Sequence, residues 1–247
     1  RAEFAYNYFD LETHWIPESI KMSKSCYSQS KKFILSSPLW SSKEFLNKNL
    51  DIKTDVDKKK IISIFSAGFG PKAFNSVDSH YFLLKFIKNI LEKRRDTFIF
   101  FKPKYDIKLL NDYHELINLI DYLNNNKMCK IINKVRSINL INASDLTISM
   151  TFASPTVEAV ASGKKSFYVD LSNDYPNSPY KKINNFVATS ITDALNKVDY
   201  WLSIDNKQFL NFLNNDIKSR LPLNLNNESI ENMRSIVLNE ISKKNNI

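Results

Sequence analysis

Apolar and polar residues follow a regular pattern from Ile61 onward. Continuous apolar runs are typical of strands that are buried on both faces of a parallel sheet. Such runs predict strands at residues 61–65, 97–101, 128–132, 146–150 and 166–169. Helical periodicity predicts helices at residues 77–94, 109–123, 137–143, 155–162, 191–202, 207–220 and 228–242. Because parallel strands need crossover connections, this alternation predicts an α/β fold, a Rossmann-like open parallel sheet with helices on both faces.

The first 60 residues lack this regularity. They are polar and aromatic without clear periodicity, except for a short predicted strand at residues 33–35. We interpret residues 1–45 as the end of an N-terminal domain and residues 46–60 as a linker. Residues 61–205 would form the Rossmann-like domain and residues 206–247 its C-terminal helices. The first residue is Arg rather than Met, so we expect a piece of a longer protein.

Glycine placement draws attention to the first loop of the regular region. The chain has three glycines, and two of them, Gly68 and Gly70, follow the first strand of that region. Such a loop can present backbone N–H groups to a phosphate, although Gly-x-Gly also fits an ordinary tight turn. Asn75 or Ser76 is the expected cap of the next helix. The candidate phosphate ligands are Ser66, Gly68, Gly70 and Lys72, the last of which is equally compatible with a solvated lysine.

A second signal lies after the run at residues 146–150. Ser154 is a suitable helix N-cap, Pro155 suits the first helical position, and Gly163 suits a left-handed helix end. The N-terminus of this short helix would bind an anion. Ser154, Pro155 and Thr156 at this helix start are candidate donor ligands, and pure capping by Ser154 and Thr156 is the alternative. Glu158 lies four residues after the expected cap, where it could accept hydrogen bonds from a ribose or sugar diol, or simply favour the helix dipole.

This segment resembles the donor-binding stretch of GT-B glycosyltransferases, in residues 143–149, Ser154, Glu158 and residues 163–165. It more closely resembles bacterial surface-polysaccharide (capsule and O-antigen) biosynthesis proteins, whose hallmark is Met-Pro-Phe-Thr-Ser-Pro followed by Glu-Ala. The chain departs from that hallmark at Thr151, where Pro is expected, and at Ala153, where Thr is expected. Thr151 could supply the hydroxyl that Ala153 lacks.

Two further segments agree with the resemblance, which covers about residues 61–205. Lys102 begins a Lys-Pro-Lys corner in which a basic residue of the family faces the nucleotide or its phosphate; a surface lysine is the alternative. Asp170, with Tyr175 and Tyr180, resembles the family's Tyr-Tyr-Asp…Tyr stretch. The Asp170 carboxylate would point to the ligand edge or cap its loop.

The resemblance implies a GT-B donor-binding domain that uses a CMP- or UDP-activated sugar, with a glycan or lipid-linked glycan as acceptor. It implies transfer without a metal ion and without a cofactor. The general base usually comes from the acceptor domain, so the fragment alone could bind donor without transfer; His14 and His80 are weak catalytic candidates. The alternatives are a sugar-nucleotide epimerase of the same architecture and a non-catalytic domain that binds a nucleotide or a partner. A dehydrogenase fits poorly because the third fingerprint glycine is missing and Lys102 stands where an acid is expected.

Composition adds limits rather than a function. The formal net charge is +9, which favours an anionic partner or simply reflects abundant Lys throughout the chain. No nucleic-acid-binding module is recognisable, so we expect no nucleic-acid partner. Cys26 and Cys129 give no disulfide framework, and no local metal motif occurs. No apolar run reaches membrane-spanning length. We expect a cytoplasmic protein with peripheral contact at the anionic inner membrane.

Overall fold

A computed structural model of the chain describes residues 12–14, 17–25, 30–35, 59–68, 75–104, 113–151, 153–217 and 229–245. The chain divides into two compact units. The first combines residues 1–48 with residues 211–247, and the second contains residues 49–210. Within the described residues, no helix is both long and apolar enough to cross a membrane.

The first unit contains a short β-α-β motif. Strands β1 (Glu12–His14) and β2 (Phe33–Leu35) are parallel and are connected through α1 (Pro17–Ser25). The sequence predicts β2, which is an apolar run, but neither β1 nor α1, because Glu12–His14 contains no apolar residue and Pro17–Ser25 is largely polar. A π-helical turn, Leu213–Ile217, and the last helix, α8 (Ser229–Asn245), complete the described part of this unit.

The second unit is built around a six-stranded parallel sheet. Its strands are β3 (Lys60–Phe65), β4 (Thr97–Lys102), β5 (Cys129–Ile131), β6 (Leu146–Met150), β7 (Ser166–Val169) and β8 (Val187–Ala188). Its helices are α2 (Val77–Lys93), α3 (His114–Asn125), α4 (Ser137–Asn142), α5 (Ser154–Ala161) and α6 (Ile191–Ser203), and α7 (Asn206–Phe212) follows. The predicted α/β fold and open parallel sheet are therefore confirmed.

The strand order is β5-β4-β3-β6-β7-β8. From β3 the chain adds β4 and β5 on one side, then returns to place β6, β7 and β8 on the other. Right-handed crossovers then put α2 and α3 on one face and α5 on the opposite face. Helix α2 contacts α3 and α6, whereas α5 contacts α4. The direction reverses between β3 and β6, and such a switch point opens a crevice at the carboxyl edge of the sheet.

The core explains why the strand predictions succeed. Ile62, Ile64, Ile99 and Ile148 are fully buried, as are Phe86 and Ile87 of α2. Both sheet faces are covered, so the strands are apolar at nearly every position. The differences from prediction lie at the ends. Helix α3 begins at His114, and residues 105–112 lie outside the described ranges. The two-residue strand β8 and a 3-10 helix, Pro179–Lys182, were not predicted because they carry too few residues.

Candidate functional site

The loops after β3 and β4 are fastened together at the switch point. The Ser66 N–H donates to the Lys102 carbonyl at 3.2 Å, and the Lys104 N–H donates to Ser66 Oγ at 2.9 Å. The Ala67 N–H lies 3.3 Å from Met150 Sδ, at the end of β6. Ser66 was predicted as a phosphate ligand, but its hydroxyl oxygen accepts the Lys104 bond. These bonds bring the ends of three strands to one edge.

Helix α5 begins at this edge without a side-chain cap. Its N-cap is Ala153, which has no polar side chain, and Ser154 is the first helical residue. The prediction of Ser154 as N-cap is therefore wrong by one residue. The Ser154 hydroxyl instead donates to Glu158 Oε1 at 2.6 Å, one turn later. The buried Pro155 has no N–H, so the first turn presents the N–H groups of its neighbours.

The far end of α5 is as predicted. Gly163 has φ 70°, its N–H bonds the Val160 carbonyl, and the Lys164 N–H bonds the Ala159 carbonyl. These two bonds form a Schellman motif, in which glycine takes the left-handed position without steric cost.

Glu158 is a buried carboxyl group with positive charge nearby. Its side chain lies under the carboxyl edge, and the residue is only 8% exposed. Burial raises the pKa of Glu158, while the Ser154 hydrogen bond and the charges of Arg136 and Lys104 lower it by less. A carboxyl group with a raised pKa in a crevice is a common feature of binding and catalytic sites.

Two exposed basic residues, Lys104 and Arg136, carry the positive charges that lower the pKa of Glu158. Lys102, the predicted phosphate ligand, lies at the same edge and donates from Nζ to the Asn133 carbonyl at 3.0 Å. Burial, and then the charge of Lys104, lower the pKa of Lys102. The cluster of Lys102, Lys104 and Arg136 is called the cation cluster below. It places three positive side chains around one edge of the crevice.

Two of the candidate donor ligands, Thr156 and Thr151, form hydrogen bonds through their hydroxyls inside the sheet. Thr156 is fully buried, and its Oγ1 lies 2.6 Å from Ser149 Oγ and donates to the Phe167 carbonyl at 3.2 Å. Thr151 is also buried, and its hydroxyl donates to the Val169 carbonyl at 3.2 Å. Both hydroxyls therefore already have partners inside the sheet, and a role for either residue in donor binding stays a prediction. Both hydroxyls serve the interior of the sheet, where an unpaired polar group would be costly.

The N-terminus of α2, unlike that of α5, is already bound by side chains of the protein. Ser76 is its N-cap, and Ser76 Oγ accepts from the Ser79 N–H at 3.2 Å. Asp174 Oδ2 then accepts from the Ser76 N–H at 3.1 Å and from Ser79 Oγ at 2.9 Å. The protein's own carboxylate therefore occupies the place at this helix start where an anion would bind.

The other candidates near the loop between β3 and α2 are Gly68, Gly70, Lys72 and His80. Gly68 follows β3 as predicted, and Gly70 and Lys72 lie outside the described residues. His80 is buried on α2, with Nδ1 3.1 Å from the Ser76 carbonyl and Nε2 3.3 Å from the Ala67 carbonyl. The ring thus bridges Ala67 and Ser76, on either side of the loop that contains the glycines. This contact gives His80 a structural role.

Asp170 and the tyrosines lie on the connection between β7 and β8. Asp170 is buried, and its Oδ2 lies 2.7 Å from Lys181 Nζ and accepts from the Tyr175 N–H at 3.3 Å. Tyr180 stacks on Tyr168, with ring centroids 5.2 Å apart. Burial, and then the neighbouring Tyr180 and Glu158, raise the pKa of Tyr168. Asp170 thus organises its own connection, which agrees with its interpretation as a loop cap.

His14, the weak catalytic candidate at the end of β1, belongs to the first unit. Its Nε2 is 2.9 Å from Glu12 Oε1, and its ring stacks on Phe33 at 6.0 Å. Glu12 also accepts from Ser23 Oγ at 2.5 Å and from Ser30 Oγ at 2.7 Å. Across the part of the chain that the structure describes, no three His, Cys, Asp or Glu side chains are grouped so that they could hold a metal ion.

Sequence reasoning missed Lys104, Arg136 and Asp174 as candidate site residues. Each follows a strand, β4, β5 and β7 respectively, so each lies at the carboxyl edge. That placement was a usable signal for Lys104 and Arg136, because basic residues at this edge can meet a phosphate. No sequence signal pairs Asp174 with Ser76, since the two are 98 positions apart.

Solved structures with a similar fold include three that were determined with UDP present. The S. aureus MnaA–UDP structure has a TM-score of 0.62 and 9% identity, with 94% of this chain and 60% of that chain covered. The Methanocaldococcus jannaschii UDP-GlcNAc 2-epimerase, in complex with UDP-GlcNAc and UDP, has a TM-score of 0.61 and 14% identity. The match covers 93% of this chain and 61% of that chain. Anabaena HepE, with UDP and glucose, has a TM-score of 0.54 and 14% identity, with 92% and 63% covered. The chain thus spans little more than three fifths of these structures, and at such identity the likeness concerns the fold, the Rossmann-like architecture of GT-B proteins.

A search of curated proteins finds no match. The family model described as "Polysaccharide biosynthesis PFTS motif protein" matches residues 2–198, which is most of the chain. The match includes the segment with the Met-Thr-Phe-Ala-Ser-Pro variant of the hallmark, the start of α5 and Glu158. The chain therefore belongs to the polysaccharide biosynthesis PFTS motif family.

Proposed function

We propose that this chain contains the donor-binding domain of a glycosyltransferase in bacterial surface-polysaccharide synthesis, and that the donor is a CMP- or UDP-activated sugar. The observation that carries the proposal is the contrast between two helix starts at one crevice. The start of α2 is occupied by Ser76 and Asp174, whereas the start of α5 has Ala153 as its cap. The cation cluster lies beside the second start, where the phosphate of a donor would bind.

The phosphate would be bound by the first-turn N–H groups of α5 and by the cation cluster. The helix dipole and these N–H groups favour an anion there. Lys104 and Arg136 follow β4 and β5 and so add charge at the same edge, where both also lower the pKa of Glu158. Lys102 is a third cation whose Nζ would have to exchange the Asn133 carbonyl for a phosphate oxygen.

Glu158 would recognise the hydroxyl groups of the ribose. A carboxylate oxygen can accept two hydrogen bonds from a diol, and Glu158 Oε1 already receives one bond from Ser154 that fixes its rotamer. Because the group is buried, it has lost hydration that a bound diol would replace. This assigns a role to the raised pKa of Glu158, which folding alone does not need.

The transfer step would depend on stabilising the leaving nucleotide phosphate. As the bond between the anomeric carbon and the phosphate oxygen breaks, negative charge grows on that phosphate. Preorganised N–H groups and cations stabilise such charge without a metal ion. We therefore propose transfer without a metal or cofactor, and activity that persists in excess EDTA would support this part of the proposal.

The first test is a thermal-shift titration of the chain with CMP, UDP, GDP and NAD. A ligand that binds only the folded state adds about 2.7 kcal/mol of stability at a hundredfold excess over its dissociation constant. We expect CMP or UDP to raise Tm, and Glu158→Ala and Arg136→Ala to weaken that shift. Lys127→Ala is the matched control, because Lys127 is an exposed lysine just before β5, at the opposite edge of the sheet. A shift equal in all variants would contradict this site.

The same titration separates the alternative functions. No shift with any nucleotide, from a folded chain, would favour a domain that only binds a partner. Binding of UDP together with interconversion of UDP-GlcNAc and its C2 epimer, followed by NMR, would favour an epimerase. That alternative is kept because the fold is similar to a UDP-GlcNAc 2-epimerase.

The acceptor would be a glycan or a lipid-linked glycan at the cytoplasmic face of the inner membrane. The net charge of +9 is compatible with peripheral contact at an anionic surface. Co-sedimentation with phosphatidylglycerol vesicles, compared with neutral phosphatidylcholine vesicles, tests the contact. If the chain does not bind phosphatidylglycerol vesicles even at low salt, the proposed membrane contact is contradicted.

A further inference from the structure

The connection between β7 and β8, residues 170–182, is called the strap. It is braced at its base by Asp170, whose carboxylate contacts Lys181 Nζ and the Tyr175 N–H. Lys181 Nζ also donates to Asn173 Oδ1 at 2.8 Å, and Asn173 itself has a positive φ of 57°. Tyr180 anchors the far end by stacking on Tyr168. The strap therefore has a defined shape in which Asp174 lies between two fixed ends.

Asp174 joins the strap to the start of α2. Its carboxylate accepts from the Ser76 N–H at 3.1 Å and from Ser76 Oγ at 3.2 Å. Ser79 Oγ lies 2.9 Å from the same carboxylate and 2.7 Å from the Ser76 carbonyl, so its one proton is shared between them. Hydrogen bonds to a charged acceptor are stronger than those between neutral groups. We call this set of bonds the clasp.

The clasp spans the switch point of the sheet. The strap begins at the end of β7, α2 follows β3, and β6 lies between these two strands. Neighbouring strands are about 4.8 Å apart, so the ends of β3 and β7 lie roughly 10 Å apart with the carboxyl end of β6 between them. Strand β6 leads directly into α5, where the proposed phosphate site lies. The clasp thus links the β3 side of the crevice to the β7 side.

We propose that Asp174 is a positioning residue that holds the strap across the crevice, and that the clasp sets how fast a nucleotide enters and leaves. This inference rests on the proposed function, because it needs a nucleotide in the crevice. A ligand under the strap can leave only when the bonds from Ser76 and Ser79 break. Weakening the clasp should therefore speed entry and exit together, with a smaller effect on affinity.

The test is stopped-flow measurement of binding and release of UDP or CMP that carries a fluorescent label on its base, which leaves both ribose hydroxyls free for Glu158. Asp174→Ala removes the clasp, Asp174→Asn keeps the side-chain shape without the charge, and Ser79→Ala removes a donor from the other side. We expect Asp174→Ala to raise both rate constants roughly tenfold, the factor for about one charged hydrogen bond. The other two variants should change both rates in the same direction by less.

The control is Asp78→Ala, which removes an exposed negative charge from the first turn of the same helix. If loss of charge alone attracts an anionic nucleotide, Asp78→Ala will raise the association rate as much as Asp174→Ala, and the clasp is refuted. A lower Tm for Asp174→Ala with unchanged rates would also refute it, since the bonds would then be purely structural. If the unaltered chain binds neither nucleotide, the proposed function itself fails, and the inference fails with it.

Discussion

Ser154 Oγ lies 2.6 Å from Glu158 Oε1, so the first residue of α5 directs a carboxylate one turn further along the same helix. The hydroxyl that the sequence assigns to capping is therefore used to orient a buried acid. The helix start gives up its own side-chain cap, which is ordinarily worth about 1 kcal/mol. In exchange, the Ser154 bond gives an oriented acceptor beside an open helix N-terminus.

Glu158→Gln should make the protein more stable and weaken its binding of nucleotide. Burial raises the pKa of Glu158, so the native state disfavours the carboxylate, and stability decreases as the pH rises through the pKa of the folded state. Glutamine has no charge to bury and still accepts the Ser154 bond. We expect a gain on the order of 1 kcal/mol at pH 7, as for other substitutions that relieve a functional site. Urea denaturation at pH 5 and pH 8 tests this, because the gain should be larger at pH 8.

Ser154→Ala provides the comparison within the same helix turn. The Ser154 bond lowers the pKa of Glu158, so its loss should raise that pKa further and move the pH dependence of nucleotide affinity to higher pH. Ser162→Ala is the matched control, because the Ser162 hydroxyl donates to the Glu158 backbone carbonyl and not to its carboxylate. Identical pH profiles in all three proteins would show that Glu158 does not contact the nucleotide.

Thr156→Val should destabilise the protein without changing its nucleotide affinity. The Thr156 hydroxyl contacts the Ser149 hydroxyl and the Phe167 carbonyl inside the sheet, and valine removes the partner of the buried Ser149 hydroxyl. An unsatisfied buried polar group costs about 1–3 kcal/mol. Chemical denaturation measures the loss, and titration with UDP or CMP measures affinity at a temperature where the variant is folded. Thr156→Ser, which keeps the hydroxyl, should retain most of the stability. A large loss of affinity in Thr156→Val would mean that Thr156 faces the ligand after all.

The success and failure of sequence reasoning follow from the range of each interaction. The strands β3, β4 and β6 could be predicted because burial on both faces leaves a continuous apolar run in the sequence. The Gly163 helix end could be predicted because a Schellman motif is local. The strand β8 could not, since it has two residues, Val187–Ala188, and depends on pairing with β7.

The candidate site was predicted as a segment but not as individual contacts. A one-residue error in the start of α5 changes which residue is the N-cap and which side chains lie in the first turn. The N-cap is therefore Ala153 rather than Ser154, and the Ser154 hydroxyl bonds Glu158 instead of the helix start. Arg136 lies near Glu158 through the folding of separate strand ends, which no local pattern contains.

Gly163→Ala should reduce stability through the backbone alone. A Cβ added at Gly163 meets no atom within 4 Å, so steric contact with neighbours contributes nothing. The residue nevertheless has φ 70°, a conformation that costs an L-residue with a side chain about 1–2 kcal/mol. Gly163→Asn should cost less, because asparagine tolerates this conformation better. Denaturant midpoints of the two variants test the order, and an alanine variant as stable as the parent would contradict the helix end described here.

Asp174→Asn should lose stability in a way that disappears in acid, the opposite of the trend at Glu158. Partial burial alone would raise the pKa of Asp174, but the hydrogen bonds from the Ser76 N–H and from the hydroxyls of Ser79, Ser172 and Ser76 outweigh it, and the pKa lies below its usual value of 3.8. A carboxylate with a depressed pKa stabilises the native state above its unfolded pKa, and this contribution is lost as the pH falls through the folded pKa. The difference in Tm between the parent and Asp174→Asn should therefore be constant from pH 7 to about pH 5 and shrink below about pH 4. Because Asn keeps the shape of the side chain, a difference that persists unchanged to pH 3 would mean that the charge of Asp174 contributes nothing to the clasp.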